Sequence, residues 1–180
     1  MIRLCVAGAT GKMGSTLIKD ACAKGFEVIG AVAAPEDPNI GKTLRELGIC
    51  DSDTKVVPPS QLESAVKGAD VYVSFTTPEA EVSNLIMVAK FGKRIVMGTT
   101  GFTEEQMSKV HSAVSGKVPA VFAPNYALGV KLLSKLIEAC GILPPDYHFS
   151  IVETHHIGKK DAPSGTAKML ERIVSEIRGC

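Results

Sequence analysis

The chain has 180 residues, enough for one medium domain or one domain with a small second one, and 45% of them are hydrophobic. Twenty Lys and Arg against 19 Asp and Glu give a formal net charge of +1, which leaves no electrostatic footprint for nucleic acid or an anionic membrane. The absence of Trp and an aromatic content of 5% argue against a base-stacking surface.

From the N-terminus, Ile2–Ala7 predicts a strand, and Gly11–Lys24 a helix with Met13, Leu17, Ile18 and Ala21 at helical spacing. Glu27–Ala33 predicts a second strand, and Lys55–Pro58 a weak third after a Pro/Asp-rich loop. Ser60 is placed to cap a short helix starting near Leu62. Asp70–Phe75 is the fourth strand, followed by a helix over Pro78–Phe91 with Pro in its first turn. Arg94–Met97 is the fifth strand. Thr103-Glu104-Glu105-Gln106 reads as a capping box opening a helix to about Val114, and Pro119–Phe122 as the sixth strand. Strands rich in Val and Ile, joined by helices, predict an α/β fold with a doubly wound parallel Rossmann sheet. After Pro124 a long helix (Ala127–Ala139), a strand (Tyr147–Glu153) and a last helix (Gly165–Arg178) predict the start of a smaller α+β domain. The expected division is 1–124 for nucleotide and 125–180 for substrate.

No apolar run approaches the roughly 18 residues that span a bilayer. Five scattered cysteines without a Cys-x-x-Cys predict reduced thiols and a cytoplasmic protein rather than a disulfide framework or thiolate metal site.

The first strand runs into Gly8-Ala9-Thr10-Gly11-Lys12-Met13-Gly14. Its glycines suit a sharp turn, close backbone approach to a pyrophosphate, and tight helix–strand packing, with the helix start supplying positive charge. A ribose-binding carboxylate would stand near Ala33-Ala34, where there is none; Glu36 and Asp37 follow in a loop with two prolines. With that obstacle to a 2′-phosphate missing and Lys12 nearby, NADPH is favoured over NADH, with dual use open. Ser74–Pro78, Gly98–Gly101 and Ala123–Tyr126 end the fourth, fifth and sixth strands and line one crevice, where Asn125 can meet a nicotinamide carboxamide.

Glu153–Ala167 gathers His155, His156, Lys159 and Lys160 ahead of a helix start at Ser164-Gly165-Thr166. A reduction needs a hydride and a proton, and His titrates near neutrality. Adjacent residues of an extended segment point opposite ways, so His155 and His156 should differ in role. Lys159 can serve as a second acid, and the free amides after Pro163 suit a carboxylate. Lys159 and Lys160 oppose a bound cation, so no metal is expected; His111 and His148 read as structural.

With those motifs, and above all His155-His156-x-x-Lys159-x-Asp161-Ala162-Pro163-Ser164-Gly165-Thr166-Ala167, the chain resembles the 4-hydroxy-tetrahydrodipicolinate (dihydrodipicolinate) reductases of the diaminopimelate route to lysine. The resemblance runs from residue 1 to about 170. It implies that His155 is the proton donor/acceptor, Lys159 the proton donor, and that His156 with Gly165 and Thr166 holds the carboxylates of a small dicarboxylate substrate. It further implies that Gly8, Ala9, Thr10, Gly11, Lys12, Met13, Gly98, Thr99, Thr100, Ala123, Pro124, Asn125 and Tyr126 contact NADPH or NADH. Ser74 stands where the family commonly has Asp, and Tyr126-Ala127 replaces Phe-Ser. Members of the family continue past the last helix with further strands, so a fragment is expected here, with homo-oligomers a property of a full-length chain. The alternatives are another imine or amino-acid dehydrogenase, and an inactive nucleotide-binding module.

Overall fold

A computed structural model describes residues 1–155, 157 and 162–179. Six strands, β1 (Arg3–Ala7), β2 (Glu27–Val32), β3 (Val56–Val57), β4 (Val71–Ser74), β5 (Arg94–Met97) and β6 (Ala120–Phe122), form one sheet in the order β3-β2-β1-β4-β5-β6. Every neighbouring pair is parallel. The helices are α1 (Lys12–Ala23), α2 (Leu62–Lys67), α3 (Pro78–Lys90), α4 (Glu104–Val114), α5 (Leu128–Ala139) and α6 (Gly165–Arg178). Strand order reverses between β1 and β4, where Ala7 pairs with Ser74, so the turns after these two strands flank the crevice of a doubly wound fold.

Alternation along β1 explains the double covering. Cys5 and Ala7 face one way, with Tyr72, Ile95 and Met97, and pack under Leu62 and Val66 of α2, Leu85 and Val88 of α3, and Val110 of α4. Leu4 and Val6 face the other way, with Val28 and Val73, and pack against Ile18 and Ala21 of α1 and Leu44. Full burial of a side chain such as Leu85 or Ile18 stabilises by ~1.5–3 kcal/mol, and Leu85→Ala would cost ~2–5 kcal/mol.

Local chemistry sets the helix ends. Thr103 and Gln106 form the reciprocal capping box of α4. Thr77 caps α3 ahead of Pro78, and Ser164 caps α6, which ends on Gly179 at φ 72°. Ser60, expected as the cap of α2, instead lies inside a 3-10 turn over Pro59–Gln61, because Pro59 already fixes the first position of that turn.

The chain divides into two compact units, Met1–Phe122 and Ala123–Cys180. In the second, α5 and α6 pack together, while Leu128, Leu132 and Leu136 form an exposed apolar stripe on α5. The strand expected over Tyr147–Glu153 is not one. Period-two alternation sets which side chains share a face, but a strand exists only with a ladder partner, and residues 148–155 have none among the described residues. Arg178 holds part of the segment instead, donating to the carbonyls of Leu143 (3.1 Å) and Tyr147 (3.0 Å) and lying 4.8 Å over the Phe149 ring. Among the described residues no helix is long and apolar enough to cross a membrane.

Candidate active site

The first turn is built by close backbone approach. Gly8 has φ +76°, and a Cβ there would lie 2.3 Å from the carbonyl oxygen of Phe75. The N–H groups of Gly8 and Ala9 both donate to Val32 O, at 2.9 and 3.0 Å, which draws the turn onto the end of β2. Gly11 N donates to Gly8 O at 3.0 Å. A Cβ on Gly14 would come within 1.9 Å of that same Gly8 oxygen, so α1 begins as near the turn as a chain can. Gly11 caps α1 without a side chain, and no acidic residue stands in the first turn. The amides there keep their partial positive charge for an anion. Such a cradle fits a dinucleotide pyrophosphate, with Gly8, Ala9, Thr10, Gly11, Lys12 and Met13 forming its wall.

The structure supplies a carboxylate that Ala33-Ala34 lacks. The loop after β2 folds back so that Asp37 accepts from Thr10 Oγ1 at 2.5 Å and from Asn39 N–H at 2.8 Å. The Thr10 hydroxyl, and then the Asn39 amide, hold its carboxyl below the usual range. Sequence left this loop unplaced; the signal was an Asp two residues before an Asn, an Asx-type turn.

At the ends of β4 and β5 the two turns are tied together. Thr76 N–H donates to Thr99 Oγ1 at 3.0 Å and Gly98 N–H to Ser74 O at 2.9 Å. A Cβ on Gly98 would lie 2.1 Å from the Phe75 ring, so Gly98 makes room for that ring. Thr99 is buried with its hydroxyl engaged, whereas Thr100 is exposed.

In the second unit the N-terminus of α6 gathers several expected residues. Asn125 Nδ2 donates to Thr166 Oγ1 at 3.2 Å, and Asn125 Oδ1 accepts from Ala127 N–H at 2.8 Å, so an expected cofactor contact and an expected substrate contact touch. Gly165 and Thr166 are the first two residues of α6. Glu153, which sequence reasoning passed over, is the centre of this cluster. Its Oε1 accepts from Ser164 N–H at 2.8 Å, its Oε2 from Ser164 Oγ, and His155 Nε2 stands 2.9 Å from Oε2. The Ser164 hydroxyl, then His155 and the Ser164 amide, depress the Glu153 carboxyl to about 2. Ser164 Oγ also accepts from Ala167 N–H at 3.0 Å, so cap and carboxylate are one arrangement. The alternation Glu153-x-His155 on an extended segment was the available signal. His156, Lys159, Lys160 and Asp161 lie outside the described residues, as does any geometry for their expected roles. Ala123, Pro124 and Tyr126 flank Asn125 at the start of this unit.

A cavity of about 660 Å3 opens beside this cluster, lined among others by Phe149, Ile151, Glu153, Pro163 and Glu171. Glu153 and Glu171 bring two carboxylates to its lining, which disfavours a second anion there. Among the described residues no three His, Cys, Asp or Glu stand close enough to hold a metal ion.

Comparison with known proteins bears on both units. Residues 2–126 match the family model "Dihydrodipicolinate reductase, N-terminus", and residues 129–179 match "Dihydrodipicolinate reductase, C-terminus". The 4-hydroxy-tetrahydrodipicolinate reductase of Rubrobacter xylanophilus is 44% identical over 99% of this chain and 66% of its own. That of Archaeoglobus fulgidus is 37% identical over 98% of this chain and 66% of its own. The chain thus spans about two thirds of the length of the curated relatives it matches. The dipicolinate-bound dihydrodipicolinate reductase from Paenisporosarcina sp. TG-14 superposes with a TM-score of 0.69 at 29% identity, over 99% of this chain and 67% of that one. Matched by both family models and by relatives over nearly its whole length, the chain, with its six-stranded parallel sheet, belongs to the dihydrodipicolinate reductase family.

Proposed function

We propose that this chain carries the nucleotide cradle and the reacting loop of an NAD(P)H-dependent 4-hydroxy-tetrahydrodipicolinate reductase, forming tetrahydrodipicolinate for diaminopimelate and lysine synthesis in the cytoplasm. The observation that carries the reading is the turn after β1, where Gly8 and Gly14 leave no space for a Cβ beside the uncapped start of α1. When bound, the reduced nicotinamide supplies the hydride. Gly8–Met13 hold its phosphates, while Gly98–Thr100 and Ala123–Tyr126 orient the ring end. Asp37 suits a ribose hydroxyl and opposes a 2′-phosphate, which favours NADH and reverses the preference drawn from Ala33-Ala34.

On the substrate side His155 exchanges the proton, with Glu153 fixing its ring through Nε2, and Lys159 is the second acid. His156 and the amides of Gly165 and Thr166 receive the two carboxylates. Association of full-length chains into homo-oligomers is supported by the exposed Leu128, Leu132 and Leu136 stripe. NADH oxidation in the presence of substrate, with pyridine-2,6-dicarboxylate as a competitor, tests the reading. Oxidation driven by a monocarboxylate imine and indifferent to that competitor would assign the chain to another imine or amino-acid dehydrogenase.

A further inference from the structure

Under the crevice lies a polar cluster that the proposed reaction does not use. Tyr72, Ser74 and Thr76 alternate along β4 and its continuation, so their hydroxyls line one face of the strand. That face is covered by α3, whose first turn brings in Glu81, fully buried. Thr76 Oγ1 donates to Glu81 Oε1, Tyr72 OH lies 3.4 Å from the same oxygen, and Asn84 Nδ2 donates to Tyr72 OH at 3.2 Å. Among the described residues neither Glu81 Oε2 nor Ser74 Oγ makes a hydrogen bond of ordinary geometry, yet the Ser74 hydroxyl is near enough to act on the carboxyl. Burial pushes the Glu81 carboxyl up, against the pull of Thr76, Ser74 and Tyr72.

An apolar residue here would fill the same space without the several kcal/mol that burying a carboxyl costs. What the carboxyl does, and a leucine cannot, is fix the rotamer of Thr76. Thr76 is the junction of the first unit's ligand turns. Its N–H holds Thr99 Oγ1 in the β5 turn, and its Cγ2 lies 3.4 Å from where a Cβ on Gly8 would stand.

We propose that Glu81 is a positioning residue for the nucleotide site: its carboxyl holds Thr76, and Thr76 keeps the turns after β1 and β5 in register with the β4 turn. This rests on the nucleotide-binding reading above. Glu81 never reaches the ligand. It acts through a hydroxyl whose loss lets two loop backbones drift apart, and backbone donors displaced by about 1 Å no longer meet a phosphate or carboxamide at hydrogen-bonding distance.

The test uses the chain with Glu81→Leu, Glu81→Gln and Thr76→Val, reading NADH affinity by fluorescence titration, unfolding temperature, and hydrogen exchange at the Thr76 amide. Glu81→Leu and Thr76→Val are expected to weaken NADH binding about tenfold, equivalent to ~1.4 kcal/mol, while the proteins remain folded at the assay temperature. Their Thr76 amide should exchange faster. Glu81→Gln, which can still accept from Thr76 and donate to Ser74, should bind within about twofold of wild type. A merely structural role would lower the unfolding temperature and leave the affinity of the folded protein unmoved, and that result overturns the inference. Should Glu81→Leu fail to fold, Thr76→Val decides, because it removes one hydroxyl at constant shape. Undiminished binding by Thr76→Val overturns the inference alone, whereas absence of nucleotide binding by the wild-type chain overturns the functional reading and this inference with it.

Discussion

Replacing Gly14 by Ala isolates the contact on which the nucleotide cradle depends. A Cβ at this position would lie 1.9 Å from the Gly8 carbonyl oxygen and 2.7 Å from its carbon, both backbone atoms that no rotamer change can move. An ordinary carbon–oxygen approach is about 3.3 Å, so α1 must withdraw from the turn by about 1.4 Å. Amides that meet a phosphate at about 2.9 Å would then stand at about 4.3 Å, beyond hydrogen bonding. Losing two charge-assisted bonds of ~1.5 kcal/mol each lowers NADH affinity about a hundredfold. Stability moves less: overpacking costs ~1–3 kcal/mol, and the gain of Ala over Gly in a helix offsets ~1 kcal/mol of it. Gly129→Ala is the control, since its Cβ meets nothing within 4 Å in α5; it should stabilise by up to ~1 kcal/mol and leave affinity unchanged. Affinity from fluorescence titration, set beside unfolding temperature, separates the two effects. A folded Gly14→Ala protein that binds NADH within about threefold of wild type would refute the reasoning.

Further outcomes follow from the same geometry. Asp37→Ala, which removes the carboxylate beside Thr10, should raise NADPH affinity relative to NADH by about tenfold; calorimetric titration with both nucleotides checks this, and an unchanged ratio removes Asp37 from cofactor choice. Glu153→Ala takes the shared acceptor from Ser164 and His155, and should speed exchange of the Ser164 amide and slow hydride transfer. Ser164→Ala should cost ~1 kcal/mol as a lost cap. Glu81 has a raised folded pKa, so its contribution to stability is fully present below the unfolded value of about 4.3 and lost as pH rises through the folded value. Tyr72, well above its usual value, and Cys5, pushed up to about 12, face it from β4 and β1 and do not titrate in that window. Glu81→Gln should flatten this part of the stability–pH curve; an identical slope in both proteins contradicts a raised carboxyl. Asp70 runs the other way: hydrogen bonds from the Arg3 side chain and amide hold it at about 2, so its contribution is present above about 3.9 and lost as pH falls towards 2. Asp70→Asn should remove that acid limb in a pH series of thermal melts.

What the sequence disclosed and what it withheld divide along one physical line. Signals confined to a few neighbouring residues were readable. Thr103 with Gln106 placed the start of α4, Ser164 that of α6, and the β5 span Arg94–Met97 follows from an apolar run closed by Gly98. The glycine turn was legible because strand, turn and helix adjoin. Features that depend on distant partners were not. Tyr147–Glu153 alternates like a strand, but alternation carries no information about whether another strand lies alongside. Asp37 reaches Thr10 only because its loop folds back across the end of β2, and two prolines hid that path. Glu153 was legible as a neighbour of His155 but not as the acceptor of Ser164, eleven residues on. Tyr72 and Thr76 stand at alternating positions in the sequence, but only the packing of α3 brings one carboxyl to both hydroxyls.

The central claim is that the turn after β1 and the start of α1 hold a dinucleotide. Amide chemical shifts recorded while NADH is added to the labelled chain test it residue by residue. Saturable shifts of Thr10, Lys12, Met13 and Gly14, with Thr99 and Thr100 moving at the same midpoint, are predicted. Saturating NADH that leaves the Gly8–Gly14 amides where they were would contradict the account.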